Sequence, residues 1–157
     1  MECSCDKCAG ACSDKPGWFM PGQAERAAEL LGFSLAEFFS KYLGVDWWEG
    51  DGQISDDDIF LLAPAITGMS AGSEYPASPR GRCVFLKDSL CLIHAAKPFE
   101  CAEFMHGDSS EAIAARHKSV AQAWNEAEHQ NQVRSLLGRD PYTAECGMMD
   151  MLGVFGW

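Results

Sequence analysis

This sequence contains no apolar run long enough to cross a membrane, and it has little positive charge. Lys and Arg number 12 against 23 Asp and Glu, which gives a formal net charge of −11. A surface this acidic repels phosphate backbones, so we expect no nucleic acid among its partners. A spanning helix needs about 20 apolar residues, so we also expect no membrane association.

Several common sequence signals are also missing. The chain does not begin with a basic region followed by an apolar one, so no secretory signal is predicted and we expect a cytoplasmic location. The G-x-G-x-x-G pattern of nucleotide-cofactor pockets and the serine-centred elbow of hydrolases are both missing. No internal repeat of fixed period occurs. The sequence therefore assigns no reaction, and whether the chain is an enzyme stays open.

Cysteine, in contrast, is abundant, and the overall composition of the chain is typical of a globular protein. The 157 residues are 47% hydrophobic, which is enough for a core, and we predict a single domain over residues 1–157. Eight cysteines are present. Their even number is compatible with disulfides, but disulfides are uncommon in the cytoplasm. Closely spaced cysteines bridge poorly across a fold and converge well on one ion, which favours metal binding.

Half of the cysteines stand at the N-terminus, in MECSCDKCAGAC. Cys5 and Cys8 form a C-x2-C pair, with Cys3 before it and Cys12 after it. A terminal segment has little else to order it, and a shared ion would hold it in place. We therefore predict that residues 1–20 form an irregular, metal-organised segment.

A second group of cysteines follows about seventy residues later, spaced C-x7-C-x9-C. A metal can close a long loop, so both groups can share ligation. Zinc and iron both bind thiolates, and the sequence leaves open a mononuclear ion or an iron–sulfur cluster. The main candidate ligands are Cys5, Cys8, Cys12, Cys83, Cys91 and Cys101, and the weaker ones are Cys3 and Cys146.

Histidines are secondary candidates, because imidazole is an acceptable zinc ligand. His94 and His106 follow cysteines at short spacing, so either could join a site, although a hydrogen-bonded or exposed ring is the simpler interpretation. His117 and His129 fall on a predicted helix, and we expect them at its surface or behind the metal ligands.

Local patterns predict a mainly α fold, namely a small helical domain with a short β-hairpin or extended segment, organised around the cysteine metal cluster. A short strand or extended crossing is expected at 45–48 and a loop at 67–82. Ser34 and Glu37 form a capping box. The predicted helices cover residues 21–32, 34–43, 56–66, 109–137 and a stretch beginning at Pro98.

The remaining predictions concern the hairpin and the C-terminal part. Two short apolar runs around residues 87–89 predict a hairpin that carries Cys83 and Cys91. Residues 108–157 form a helical C-terminal part that ends in an apolar tail. We expect this tail to pack on the domain, and the alternative is that it binds a protein partner.

The cysteine motifs resemble those of the CxxCxxCC family of zinc- or iron-chelating proteins, also called YkgJ-like. The first family motif is similar to C-x2-C-G-x-C-C. Cys5 and Cys8 match its first two cysteines and Cys12 matches its last, while Ala11 stands at the position of the third and Ala9 replaces the glycine. The second motif corresponds to CVFL, CLIH and KPFEC, where His94 replaces Tyr and Lys97 replaces Arg.

The resemblance covers roughly residues 5–105 and implies a metal-bound cysteine cluster without a settled reaction. The first hypothesis is therefore a metal-binding protein. One alternative is an iron–sulfur redox protein or protein-modifying enzyme, since some relatives are described as lysine methylases. Another is soft-metal storage or delivery, to which the methionines Met148, Met149 and Met151 could contribute, although core packing explains these methionines more simply.

Overall fold

The computed structural model describes residues 15–50, 52, 54–55, 57–75, 79–88, 90–102 and 109–141. Among these residues, 43% are helical and 18% lie in strands, and the strands form two small sheets. The prediction of a mainly α fold is therefore wrong, and the domain is mixed α/β. Among the described residues, no helix is long and apolar enough to cross a bilayer.

The first two helices follow the sequence signals closely. Helix α1 (Gln23–Leu31) ends at Gly32, whose φ of 80° is the left-handed conformation that glycine adopts most easily. Helix α2 (Leu35–Tyr42) begins after Ser34, whose Oγ accepts the Glu37 backbone N–H at 3.3 Å. Both helices and the predicted cap are confirmed. Each buries one face, formed by Ala24, Ala27, Ala28, Phe38 and Phe39.

A three-stranded sheet lies at the centre of the domain. Strand β1 (Leu43–Trp48) pairs antiparallel with β2 (Ile59–Pro64) and parallel with the two-residue β3 (Ser73–Glu74). The strand expected at 45–48 is confirmed, and β3 interrupts the loop predicted over 67–82. All six residues of β2 are buried.

The helix predicted over 56–66 is wrong, because most of that segment is β2. A short continuous apolar run such as IFLLAP fits a buried strand and a buried helix equally well. Here β1 supplies a six-residue antiparallel partner, from Leu43 opposite Pro64 to Trp48 opposite Ile59. The polar residues before β2 form turn contacts instead of a helix cap. The Ser55 Oγ accepts the Asp57 N–H at 3.1 Å.

The predicted hairpin is confirmed and carries Cys91, whereas Cys83 lies before it and forms an isolated antiparallel bridge with Ile66. Strand β4 (Leu86–Lys87) pairs antiparallel with β5 (Leu90–Cys91). A single 3-10 turn (His94–Ala96) follows, and the short helix α3 (Phe99–Ala102) begins directly after Pro98, as expected.

The long helix predicted over 109–137 is two helices. Helix α4 (Ser110–Trp124) starts at the Ser109 cap, and α5 (Ala127–Leu137) ends at Gly138. Between them Glu126 is extended, with φ −126° and ψ 140°. The break allows Gln130 to bind the backbone of β2. Its Nε2 donates to the Phe60 carbonyl at 2.8 Å, and its Oε1 accepts the Phe60 N–H at 3.0 Å.

Replacing Gln130 with alanine is expected to lower the free energy of unfolding by about 1–3 kcal/mol, because the buried Phe60 loses both backbone partners. Urea denaturation measures this loss. Gln122→Ala is the matched control, since the Gln122 side chain is exposed on α4 and should contribute less than about 0.5 kcal/mol. Equal stabilities for the two variants would contradict this role of Gln130.

Candidate functional site

Three of the candidate cysteines lie in the described part of the chain. Cys83 belongs to the main core and is 6% exposed, whereas Cys91 on β5 and Cys101 on α3 are half-buried. No disulfide joins these three residues to one another. Within the described ranges, no three His, Cys, Asp or Glu side chains are arranged to hold a metal ion. The predicted residues Cys3, Cys5, Cys8, Cys12, His106 and Cys146 lie outside the described residues.

The N-terminal segment meets the second cysteine group at Cys101. A Cβ atom on Gly17 would lie 2.8 Å from the Cys101 Sγ and 2.9 Å from the Glu100 Cβ, which is too close for any side chain. The backbone at residue 17 therefore passes directly against α3. Cys12 precedes Gly17 by five residues. The chain that carries the first cysteine group thus enters the domain beside one cysteine of the second group.

Trp18 fixes this entry point. Its backbone N–H donates to the Glu100 Oε1 at 2.7 Å, and its indole Nε1–H donates to the Asp46 Oδ2 at 2.7 Å. The Trp18 side chain is buried, as is Asp46, which is 1% exposed. The other Asp46 oxygen accepts the Trp47 N–H at 2.8 Å. Phe19, the residue after Trp18, is also held in place, because the Trp124 indole N–H donates to the Phe19 carbonyl at 2.6 Å.

His117 of α4 completes this arrangement. Its ring stacks on Trp18 with centroids 3.5 Å apart and planes 22° apart. Its Nδ1 is hydrogen-bonded to the Glu100 Oε2. An ionised carboxylate oxygen only accepts, so the Nδ1 of His117 donates this hydrogen bond. We call Trp18, Asp46, Glu100 and His117 the Trp18 anchor.

Positive charge and a second indole border the Trp18 anchor. The Lys15 Nζ lies 5.5 Å from the centroid of the Trp18 ring, a cation–π distance. The Trp48 ring lies 6.3 Å from the His117 ring. The Trp48 Nε1 is buried and has no hydrogen-bond acceptor among the described residues. The two carboxylates of the anchor, those of Asp46 and Glu100, thus lie in a largely aromatic environment.

The environment of Asp46 disfavours its charge. Burial raises the pKa of its carboxyl above the ordinary 3.8, while the Trp18 hydrogen bond, the Lys15 and His117 charges and the Trp47 N–H act in the opposite direction. Because the pKa is higher in the folded state, the contribution of Asp46 to stability is complete below pH 3.8. It decreases as the pH rises towards the folded-state pKa.

Asp46→Asn is therefore expected to change the pH dependence of stability. Between pH 4 and 7 the wild type should lose free energy of unfolding relative to this variant, because only the wild type has a carboxyl that must ionise in a buried place. Urea denaturation of both proteins at pH 4, 5.5 and 7 measures the difference. If the difference in free energy of unfolding between the two proteins stayed constant with pH, or grew in favour of the wild type, the raised pKa of Asp46 would be contradicted.

The thiol of Cys91 is also shifted towards its neutral form. Burial raises its pKa, against the opposing effects of a hydrogen bond from the Ile93 backbone and of the charge of Lys97. A metal ion binds the thiolate, so it would have to displace a proton at Cys91. The thiol alone is therefore a weaker nucleophile than an ordinary cysteine.

Sequence analysis identified the cysteines but not the Trp18 anchor. It assigned His117 to a helix surface or to a place behind ligands, and it gave Trp18 and Asp46 no role. The only local signal for Asp46 is a single acid inside the apolar run of β1. Comparisons of the chain with protein-family models, curated proteins and solved structures find no match, so the family resemblance remains a prediction from the cysteine motifs.

Proposed function

We propose that this chain is a metal-binding protein that chelates zinc or iron through clustered cysteine thiolates, as a member of the CxxCxxCC family. The observation that supports it most strongly is the contact of Gly17 with Cys101, which brings the chain after Cys12 to the second cysteine group. The proposed ligands are drawn from Cys3, Cys5, Cys8, Cys12, Cys83, Cys91, Cys101 and Cys146.

The donor chemistry suits this assignment, since zinc and iron take thiolate ligands readily. The described residues alone do not provide three ligands in one place, so the proposed centre takes part of its sulfur from the cysteines outside them, which are Cys3, Cys5, Cys8, Cys12 and Cys146. The reaction, if there is one, is left unassigned. The proposal includes a cytoplasmic location, where thiols stay reduced. The apolar tail is proposed to pack on the domain, and binding of a protein partner by the tail is the alternative. With a net charge of −11, nucleic acid is not a proposed partner.

Anaerobic purification of the full chain, followed by elemental analysis, tests the proposal. A colourless protein with stoichiometric zinc supports a closed thiolate site. A brown protein with iron and acid-labile sulfide supports an iron–sulfur centre and directs attention to redox or protein-modifying chemistry. Copper bound in preference to both would favour soft-metal storage or delivery instead. A chain that binds none of these metals, even after anaerobic reconstitution, would overturn the proposal.

A further inference from the structure

We propose that the hairpin of β4 and β5 is a docking surface for an acidic protein segment that also carries apolar side chains. We call this the hairpin surface, and it consists of Leu90 and Leu92 together with Arg82, Lys87 and Lys97. All five residues lie in the described part of the chain. The inference does not depend on the proposed metal centre, because none of its arguments involves a bound ion.

The first argument is the exposure of two leucines on one strand. Leu90 is 42% exposed and Leu92 is 52% exposed. Leu92 continues the hairpin ladder, since its N–H donates to the Phe85 carbonyl at 2.9 Å. Side chains two residues apart on a strand share a face, and the alternate residues Cys91 and Ile93 are half-buried and buried. Single exposed apolar side chains are ordinary, but two on one face of a hairpin form a patch that a partner can cover.

The second argument is the position of two cations beside these leucines. The Arg82 Nη2 donates to the Leu86 carbonyl at 3.0 Å, which places the guanidinium against β4. Lys87 stands directly opposite Leu90 in the antiparallel register, and residues that are paired in this way share a face of the sheet. Both cationic side chains are exposed. The apolar patch is therefore bordered by positive charge.

A third cation, Lys97, lies close enough for its charge to act on Cys91, the residue between the two leucines. Among the described residues, no carboxylate forms an ion pair with Arg82, Lys87 or Lys97. Residues 80–97 contain four Lys and Arg against one Asp, which is a net charge of +3, so the remainder of the chain carries −14. The hairpin surface is thus a positive region on a strongly negative protein.

This distribution of charge determines what fits the hairpin surface. An acidic segment is attracted there and is repelled by the remainder of the chain. Screening limits both effects to about 8 Å at physiological ionic strength, so the adjacent cations outweigh distant carboxylates. Interfaces commonly combine an apolar centre with a polar rim, and here the rim is cationic. The complementary partner therefore presents apolar side chains flanked by Asp or Glu.

The same charges disfavour two other occupants. An anionic lipid surface is wider than the hairpin and would also face the acidic remainder of the chain. A second copy of this chain would bring a net charge of −11 against −11. A narrow acidic segment avoids both conflicts, because it contacts the hairpin surface alone.

Fluorescence anisotropy with the full chain tests the proposal. The probe is a short labelled peptide of alternating glutamate and leucine, and the matching peptide of lysine and leucine is the charge control. We expect only the acidic peptide to bind. Leu92→Ser should weaken this binding at least about tenfold, and Lys87→Glu about three- to tenfold. Both replaced side chains are exposed, so both variants should fold.

Two variants on α1 are the matched controls. Leu30→Ser changes a leucine that is 49% exposed, and Arg26→Glu reverses the charge of an exposed cation. Both lie outside the hairpin surface and should bind the acidic peptide as the wild type does.

Several outcomes would overturn the proposal and leave the metal centre untouched. These are equal binding of the two peptides, binding of neither, and equal losses in the hairpin and α1 variants. Sedimentation of the full chain and flotation with vesicles of anionic phospholipid examine the other occupants. A dimer that Leu92→Ser dissociates would assign the surface to a second copy, and vesicle binding without peptide binding would assign it to lipid. Either result would overturn the acidic segment.

Discussion

Replacing Cys101 with serine is expected to weaken metal binding by about a hundredfold or more. Structural zinc sites contribute roughly 10–16 kcal/mol of binding free energy, so one of four ligands carries about 3 kcal/mol, which is about a hundredfold in affinity. A serine hydroxyl stays protonated near neutral pH and replaces a thiolate poorly. Competition with a chromophoric zinc chelator under anaerobic conditions measures the change.

Cys8→Ser supplies the companion variant from the first cysteine group. If both thiolates bind the same ion, each single replacement should release the metal, and the double replacement should cost less than the sum of the two. Each should also make residues 1–20 more sensitive to limited proteolysis, because the ion no longer holds them. Additive losses would mean that the two cysteines belong to separate sites, and full metal retention in either variant would remove that cysteine from the ligand set.

Trp18→Ala is expected to lower the free energy of unfolding by about 3–5 kcal/mol. The Trp18 side chain is 2% exposed, and its loss would also leave the buried Asp46 carboxylate without its indole donor. Trp18→Phe is the milder variant. It keeps an aromatic ring but loses the N–H donor and part of the indole volume, so we expect a smaller cost of about 1–3 kcal/mol.

Urea denaturation of the metal-free chain measures both losses independently of ligation. Leu30→Ala is the control, because Leu30 is 49% exposed on α1 and its truncation should cost less than about 0.5 kcal/mol. If Trp18→Ala cost no more than this control, Trp18 would not anchor the N-terminal segment, and the contact between Gly17 and Cys101 would lose its support.

Local sequence signals predicted the parts of the fold that depend on neighbouring residues. The Ser34 cap and the Gly32 and Gly138 helix ends each rest on the conformational preference of one residue, and all are present. The hairpin around β4 and β5 is also confirmed, because its two apolar runs and the turn between them are contiguous in sequence.

Features that depend on distant partners were not predicted. Strand β2 is a strand because β1 offers it a backbone partner, and its apolar run carries no period that could show this. The break between α4 and α5 accompanies the contacts of Gln130 with Phe60, 70 residues away in sequence. In sequence, the helix start near Ser109 and the helix end at Gly138 favoured one continuous helix.

The candidate site also contains one part that the sequence predicted and one part that it did not. The cysteine spacing could be recognised in sequence, since ligand types and intervals are local. The Trp18 anchor joins residues 28 and 82 positions apart through its bonds to Asp46 and Glu100, and no pattern in a single sequence connects them. His117 resembled an ordinary surface residue of α4 until its partners were known.

The central claim is that sulfur atoms from the N-terminal cysteines and Cys101 surround the same metal ion. Alkylation of the metal-loaded full chain, with and without a chelator, mapped by mass spectrometry, tests it most directly. The account predicts that the N-terminal thiols and Cys101 are protected together in the loaded chain and become reactive together when the metal is removed. Equal alkylation in both states, or peptides joined by disulfides between the two groups, would contradict it.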